Sequence, residues 1–235
     1  MTFFAPEART RPGSSFNAAN AAKIWNQPRL RAFLTLDESA LLLVNANSHF
    51  ATSLEMSVIS AEIYNQILAL ETLSSPDSDG TQLHATVIPL AYFASQHRDY
   101  ARDPDAKPSS VALSLLLQLV DKYDFDSEIL GAISQRLDPE DLRSIMTALD
   151  KLLSVLPGNV IVTLIVDGLR YFTTPPERQA GMVRMVQGLV NVFSKNESKA
   201  RLKFMFASSG RCPPFEHMFR DDKGEVLEIP RFGPR

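Results

Sequence analysis

The sequence predicts an α/β fold: three layers, α/β/α, around a mostly parallel five-stranded sheet. Two patterns and one bound lead there. Apolar runs with little alternation occur at residues 40–45, 86–93, 160–166 and 202–207, with a shorter run at 226–229. Such runs suit strands buried on both faces, as in a parallel sheet. Helical segments lie between the first four runs, and this succession implies right-handed crossovers that cover both faces. The bound is size. The chain has 235 residues, 45% hydrophobic and 22% charged, and a domain of that length buries roughly 70–75% of its unfolded surface.

Residues 1–20 read as a flexible tail, with Pro6, Pro12, Gly13, Ser14 and Ser15 close together. Residues 21–235 read as a single domain. It opens with a helical stretch at 21–34 that Pro28 divides in two. After the first strand, Thr52 and Glu55 have capping-box spacing, which starts a helix running to about Leu73. A polar linker at 74–80 precedes the second strand, and a charged loop at 96–109 follows it. Ser110 is the expected cap of an apolar helix over 111–122, and a shorter helix is expected near 127–136. Asp138 with Pro139 has the look of a cap and first helical position. Leu142, Ile145, Met146, Leu149, Leu152, Leu153 and Leu156 then form one apolar helical face. Pro157-Gly158 ends that helix, and Asp167-Gly168 stops the third strand. Pro176 opens a helix to about Ser194.

Several functions are disfavoured by composition. The net charge of -3 gives no basic field for nucleic acid or an anionic membrane. No run approaches the roughly 20 apolar residues of a membrane helix, and no signal peptide is evident. The lone Cys212 suits a reducing compartment, so a cytoplasmic location is expected. His49, His84, His97 and His217 show no paired ligand spacing, so zinc ligation is not expected. Asp103, Asp105 and Lys107 read as a solvated face, and Asp121, Asp124, Asp126 and Glu128 as a solvated loop and cap without calcium-loop spacing. Ser208-Ser209-Gly210 lacks the pattern of a nucleophile elbow.

In parallel sheets, ligands bind beyond the carboxyl ends of the strands. The first strand ends at Asn45, followed by Ala46, Asn47, Ser48, His49, Phe50, Ala51, Thr52 and Ser53 and then a helix. A phosphate-binding loop has this context with the pattern G-x-x-x-x-G-K-[ST]. On that pattern Ala46 and Ala51 replace the glycines, Thr52 replaces the lysine, and Ser53 keeps the hydroxyl. Alanine resists the backbone angles that let amides curl round phosphate. Thr52 brings no charge, and Glu55 in the first turn repels an anion. The alternative is an ordinary strand-to-helix turn. The third strand carries Asp167 at its carboxyl end, where P-loop enzymes hold the magnesium shell. The residues after it, Gly168, Leu169, Arg170 and Tyr171, supply no acid to polarise water. The fourth strand ends in Ala207-Ser208-Ser209-Gly210-Arg211, and Arg211 there is placed to sense a phosphate or to be solvated.

Taken in order, these segments resemble the NACHT-type branch of the STAND P-loop NTPases, in its divergent fungal versions. Residues 24–34 look like the segment before the P-loop and 40–45 like its first strand. Residues 88–93 resemble the aromatic-rich second strand, 165–169 the Asp-Gly-Leu motif, and 204–211 the sensor strand. The resemblance implies a strand order 5-1-4-3-2. It also implies a degenerate, pseudoenzyme-like signalling or scaffold module with protein partners, no nucleic acid and no membrane; homo-oligomerisation stays open. Binding residues carried over are Ala46, Asn47, Ser48, Ala51, Thr52, Ser53, Asp167 and Arg211, with Ser53 and Asp167 as magnesium ligands. The expected cofactor is none, or weakly held ATP or GTP with Mg2+. A switch domain that still binds nucleotide through Ser53 and Asp167 is the alternative, and an unrelated α/β enzyme is a third. The chain ends at Arg235, soon after the fifth strand, so a fragment or a minimal member is expected.

Overall fold

The computed structural model describes residues 16–47, 54–73, 85–97, 99–195, 197–221 and 224–229. Five strands form one sheet: β1 (Ala40–Asn45), β2 (Thr86–Phe93), β3 (Val160–Asp167), β4 (Arg201–Ser208) and β5 (Glu225–Glu228). Their order is β2-β3-β4-β1-β5, and every adjacent pair is parallel. Read from the other edge this is 5-1-4-3-2, the P-loop NTPase-like order. The aspartate strand is thus separated from β1 by β4.

Eight helices of at least eight residues are described. They are α1 (Ala18–Trp25), α2 (Pro28–Thr35), α3 (Glu55–Leu73), α4 (Pro108–Lys122), α5 (Ser127–Ser134), α6 (Leu142–Ser154), α7 (Pro176–Lys195) and α8 (Pro213–Asp221). Side chains alternate across the sheet. Leu41, Leu43, Val162, Leu164, Val166, Leu202, Phe204 and Phe206 face a core shared with α4, α6, α7 and α8. Leu42, Val44, Ile165, Met205 and Ala207 face a second core shared with α1, α2 and α3. Both faces of the central strands are therefore dry, which is why their sequences show no polar alternation.

Helix starts depart from the sequence reading in four places. α4 begins at Pro108 with Lys107 as its cap residue; a proline at the first position is a stronger start than a serine two residues on. Ser110 lies inside the helix, and its hydroxyl donates to Pro104 O at 2.8 Å. α6 is capped by Asp141, whose carboxylate accepts from the Arg143 and Ser144 amides. Asp138 closes a turn onto the Glu140 amide, so Pro139 sits in that turn. α8 has no counterpart in the sequence reading. Pro213-Pro214 looks like a breaker, yet these prolines occupy its first positions, where their missing N–H groups cost nothing. α1 starts at Ala18, within the stretch read as tail, capped by the Asn17 side chain.

The sheet edges are closed by side chains. On β2, Pro89 has no N–H, and the Gln118 amide both donates to Ala91 O and accepts from Ala91 N at 2.9 Å. On β5, Arg29 donates to Val226 O at 3.0 Å. Inside the sheet, on β4, Lys203 points to the α2 side and is buried. Its ammonium donates to Phe33 O at 2.9 Å and Leu36 O at 2.6 Å, satisfying carbonyls at the end of α2. Burial pushes the Lys203 pKa down, but these carbonyls accept from the charged form. The variant Lys203→Met leaves them without donors and should cost about 2–4 kcal/mol. Urea unfolding should show a lower midpoint with an unchanged slope.

Candidate functional site

Strand alternation decides what each strand end meets. Asn45 follows Leu41 and Leu43 and so faces α8. Asp167 follows Ile165 and so faces α3. The two residues lie at the same end of the sheet on opposite faces.

At the end of β1, Asn45 is fully buried. Its Nδ2 donates to Glu216 Oε1 at 3.2 Å and Glu228 Oε1 at 2.9 Å. Its Oδ1 is buried without a donor. The next residue, Ala46, extends the β1–β4 pairing by donating its amide to Ser208 O at 2.9 Å. Asn47 has φ of 45°, the left-handed region that asparagine tolerates better than most residues. Its Nδ2 donates to Glu228 Oε2 at 2.8 Å and Ile229 O at 2.9 Å. The left-handed turn after β1 thus falls on Asn47, one residue beyond the glycine position occupied by Ala46. Ser48, Ala51, Thr52 and Ser53, with the expected Thr52 cap, lie outside the described residues.

Arg211 is drawn into the same network. Its Nε and Nη2 donate to Glu216 Oε1 and Oε2 at 3.2 and 2.8 Å, and Glu228 lies 3.9 Å away. Arg220 adds a 3.4 Å contact to Glu216 Oε2. The hydrogen bond from Arg211 holds Glu216 below the usual carboxylate range despite its burial. The guanidinium that sequence placed near a phosphate is therefore paired with two carboxylates. Glu55, in the first turn of α3, is also buried; its Oε1 accepts the Asn17 amide at 3.2 Å and its Oε2 has no donor.

At the end of β3, Asp167 is buried beneath α3. Ser57 Oγ donates to its Oδ2 at 2.6 Å, and Ser60 Oγ to its Oδ1 at 3.4 Å. Sequence reasoning missed both serines because fixed P-loop spacing pointed to Ser53. A signal was present: Ser60 lies on the stripe of Met56, Ile59, Ile63 and Ile67, and a hydroxyl on a buried stripe needs a buried acceptor. Burial raises the Asp167 pKa to about 6, only partly offset by hydrogen bonds from Ser57, Ser60 and the Gly168 amide. Gly168 has φ of 85°, which glycine adopts at no steric cost and which turns the chain away immediately after the carboxylate. Nearby, Arg170 Nη1 crosses 2.7 Å from where a Cβ on Gly210 would stand. Cys212 is buried against Ser208 Oγ at 3.0 Å, and burial lifts its thiol to about 11.

No family model and no curated protein matches the sequence. Among solved structures the chain is similar to the Aeropyrum pernix Orc1 protein in complex with DNA. That match has 16% identity and a TM-score of 0.49, over 92% of this chain and 45% of that one. It is also similar to PCH-2 of C. elegans, with 13% identity and a TM-score of 0.25, over 74% of this chain and 42% of that one. The chain thus spans less than half the length of either. The strand order carries the fold assignment.

The buried carboxylate has a measurable consequence. Its folded pKa of about 6 exceeds the ordinary 3.8, so the folded state holds the proton more tightly. Stability from this group is full below about pH 3.8 and is lost as pH rises through about 6. Across that window the loss is on the order of 3 kcal/mol, at 1.36 kcal/mol per pKa unit. Asp167→Asn removes the charge and should be more stable than the parent at pH 7.5, with the advantage shrinking at pH 4. Urea unfolding at the two pH values checks this; a variant that is less stable at pH 7.5 would show that the charged form is better compensated than this geometry allows.

Proposed function

We propose that this chain is a degenerate P-loop NTPase-like domain of NACHT/STAND type, without efficient hydrolysis, that serves as a signalling or scaffold module. The observation that carries the reading is the charge at the foot of the loop after β1. Glu216 and Glu228 flank Asn45 there and engage Arg211, with Glu55 buried at the start of α3. A nucleotide phosphate entering this mouth meets carboxylates where P-loop enzymes present a lysine and free amides. The sequence after Asp167 supplies no acid to polarise an attacking water. Transition-state charge therefore lacks its usual counter-charges.

A second reading is a switch domain that retains weak Mg2+-nucleotide binding. It is favoured by Asp167 itself: a buried carboxylate that, among the described residues, is served by hydroxyls and an amide is one that a cation would relieve. A thermal-shift series separates the readings, because nucleotide at a hundred times its dissociation constant adds about 2.7 kcal/mol. The partners proposed are proteins in the cytoplasm. The net charge of -3 supplies no field for nucleic acid, although the Orc1 structure is a complex with DNA. Among the described residues no helix is long and apolar enough to cross a membrane.

Steady-state assays with ATP and GTP in magnesium should show no turnover above background. Turnover that Asp167→Ala abolishes would overturn the assignment.

A further inference from the structure

We propose that His97, Asp103 and Asp105 form a binding site for a first-row divalent cation. In sequence these residues show no paired ligand spacing, but the loop between β2 and α4 folds back and gathers them. One ligand atom from each lies within 4.8 Å of the others. His97 Nδ1 and Asp103 Oδ2 are 3.0 Å apart. Two donors on one ion at about 2.1 Å stand about 3 Å apart when adjacent and about 4.2 Å apart when opposite. The His97–Asp103 spacing is thus that of adjacent donors on one ion, and rotation of the exposed Asp105 side chain brings its carboxylate from within 4.8 Å to ligand distance.

The imidazole and the loop backbone are held by contacts outside the cluster, while the Asp103 carboxylate is held within it by His97 Nδ1 and the Asp105 amide. The Tyr92 ring stacks on His97 with centroids 5.2 Å apart and planes at 26°. Tyr92 OH donates to Asp105 O at 2.5 Å. Arg178 is buried and clamps both ends of the loop, donating to His97 O at 2.8 Å and Ala106 O at 3.0 Å. A third bond reaches Tyr171 O at 2.7 Å, and the guanidinium lies 4.4 Å over the Phe172 ring. The imidazole and the loop backbone are thus fixed before any ion arrives, which lowers the ordering cost of binding. The Asp105 carboxylate is exposed and accepts no hydrogen bond among the described residues, so it is available as the third ligand.

The donor chemistry sets the ion. One imidazole with two carboxylates suits Zn2+ or Mn2+ better than the all-oxygen shells of Mg2+ and Ca2+. Two carboxylates exceed the single positive charge of Arg178, each of whose three nitrogens donates to a carbonyl, so a divalent cation is electrostatically accommodated. Its effect would be to tie the start of the loop to the 3-10 turn Pro104–Ala106 just before α4, beside the strand end where Phe93 lies opposite Asp167.

The test is calorimetric titration of the untagged, chelator-stripped full chain with zinc chloride and, separately, manganese chloride. One equivalent of at least one ion should bind. Asp105→Asn and His97→Gln should each weaken it by more than about tenfold, the scale that even outer-shell changes produce. Asp105→Asn is the safer variant because its carboxylate has no hydrogen-bond partner to lose among the described residues, and its circular dichroism and melting without metal should match the parent. Failure of both ions to bind below about 0.1 mM, near -5.5 kcal/mol, overturns the proposal. So does parent-like affinity in both variants, which would place the ion on other residues.

Discussion

Period-two alternation along a parallel strand decides which layer each strand end can address. In this sheet it sends Asn45 toward α8 and Asp167 toward α3, and the polar chemistry divides accordingly. On the α8 face an amide, two carboxylates and two guanidinium groups form one network. On the α3 face a single carboxylate is met by hydroxyls. The first arrangement is close to charge-balanced, with the Asn45 Oδ1 left without a donor. The second leaves a buried charge that, among the described residues, meets only dipoles, and burial raises its proton affinity.

The same alternation governs packing. β4 presents Leu202, Phe204 and Phe206 to one core and Met205 and Ala207 to the other, so it cannot shift by one residue without exchanging the two sets. Lys203 is the buried charged exception on this strand, and it is tolerated because the end of α2 lies over it with carbonyls to spare. That contact orders α2 against the sheet, while Arg29 of α2 reaches the outer edge at β5. The N-terminal helices are therefore part of the sheet's covering layer.

Much of this was legible in sequence. Ala40–Asn45 reads as a strand because it is a short apolar run with no alternation, and in the structure five of its six residues are buried. The strand order followed from a resemblance in segment layout, supported by the two-sided apolarity of β4 and the shortness of β5. Local polar chemistry was less legible. Asp138-Pro139 and Ser110 offered plausible helix starts, but stronger local alternatives, Asp141 and Pro108, took those roles. Ser57 and Ser60 were hidden behind a fixed motif spacing. The pairing of Arg211 with Glu216 depends on α8, which the sequence reading lacked, and with Glu228 across a strand. His97 met Asp103 and Asp105 only through a loop whose closure depends on Arg178, some 70 residues further along the chain.

The central claim is that the mouth of this sheet is committed to carboxylates and not to phosphate. Side-chain NMR of Arg211 tests it directly, with the Nε–H resonance assigned through Arg211→Lys. The account predicts that this resonance keeps its position as Mg2+-ATP is raised to about 1 mM, a level that would reveal affinities down to about -4 kcal/mol. A displacement that saturates with nucleotide would show Arg211 leaving Glu216 for phosphate and would contradict the account.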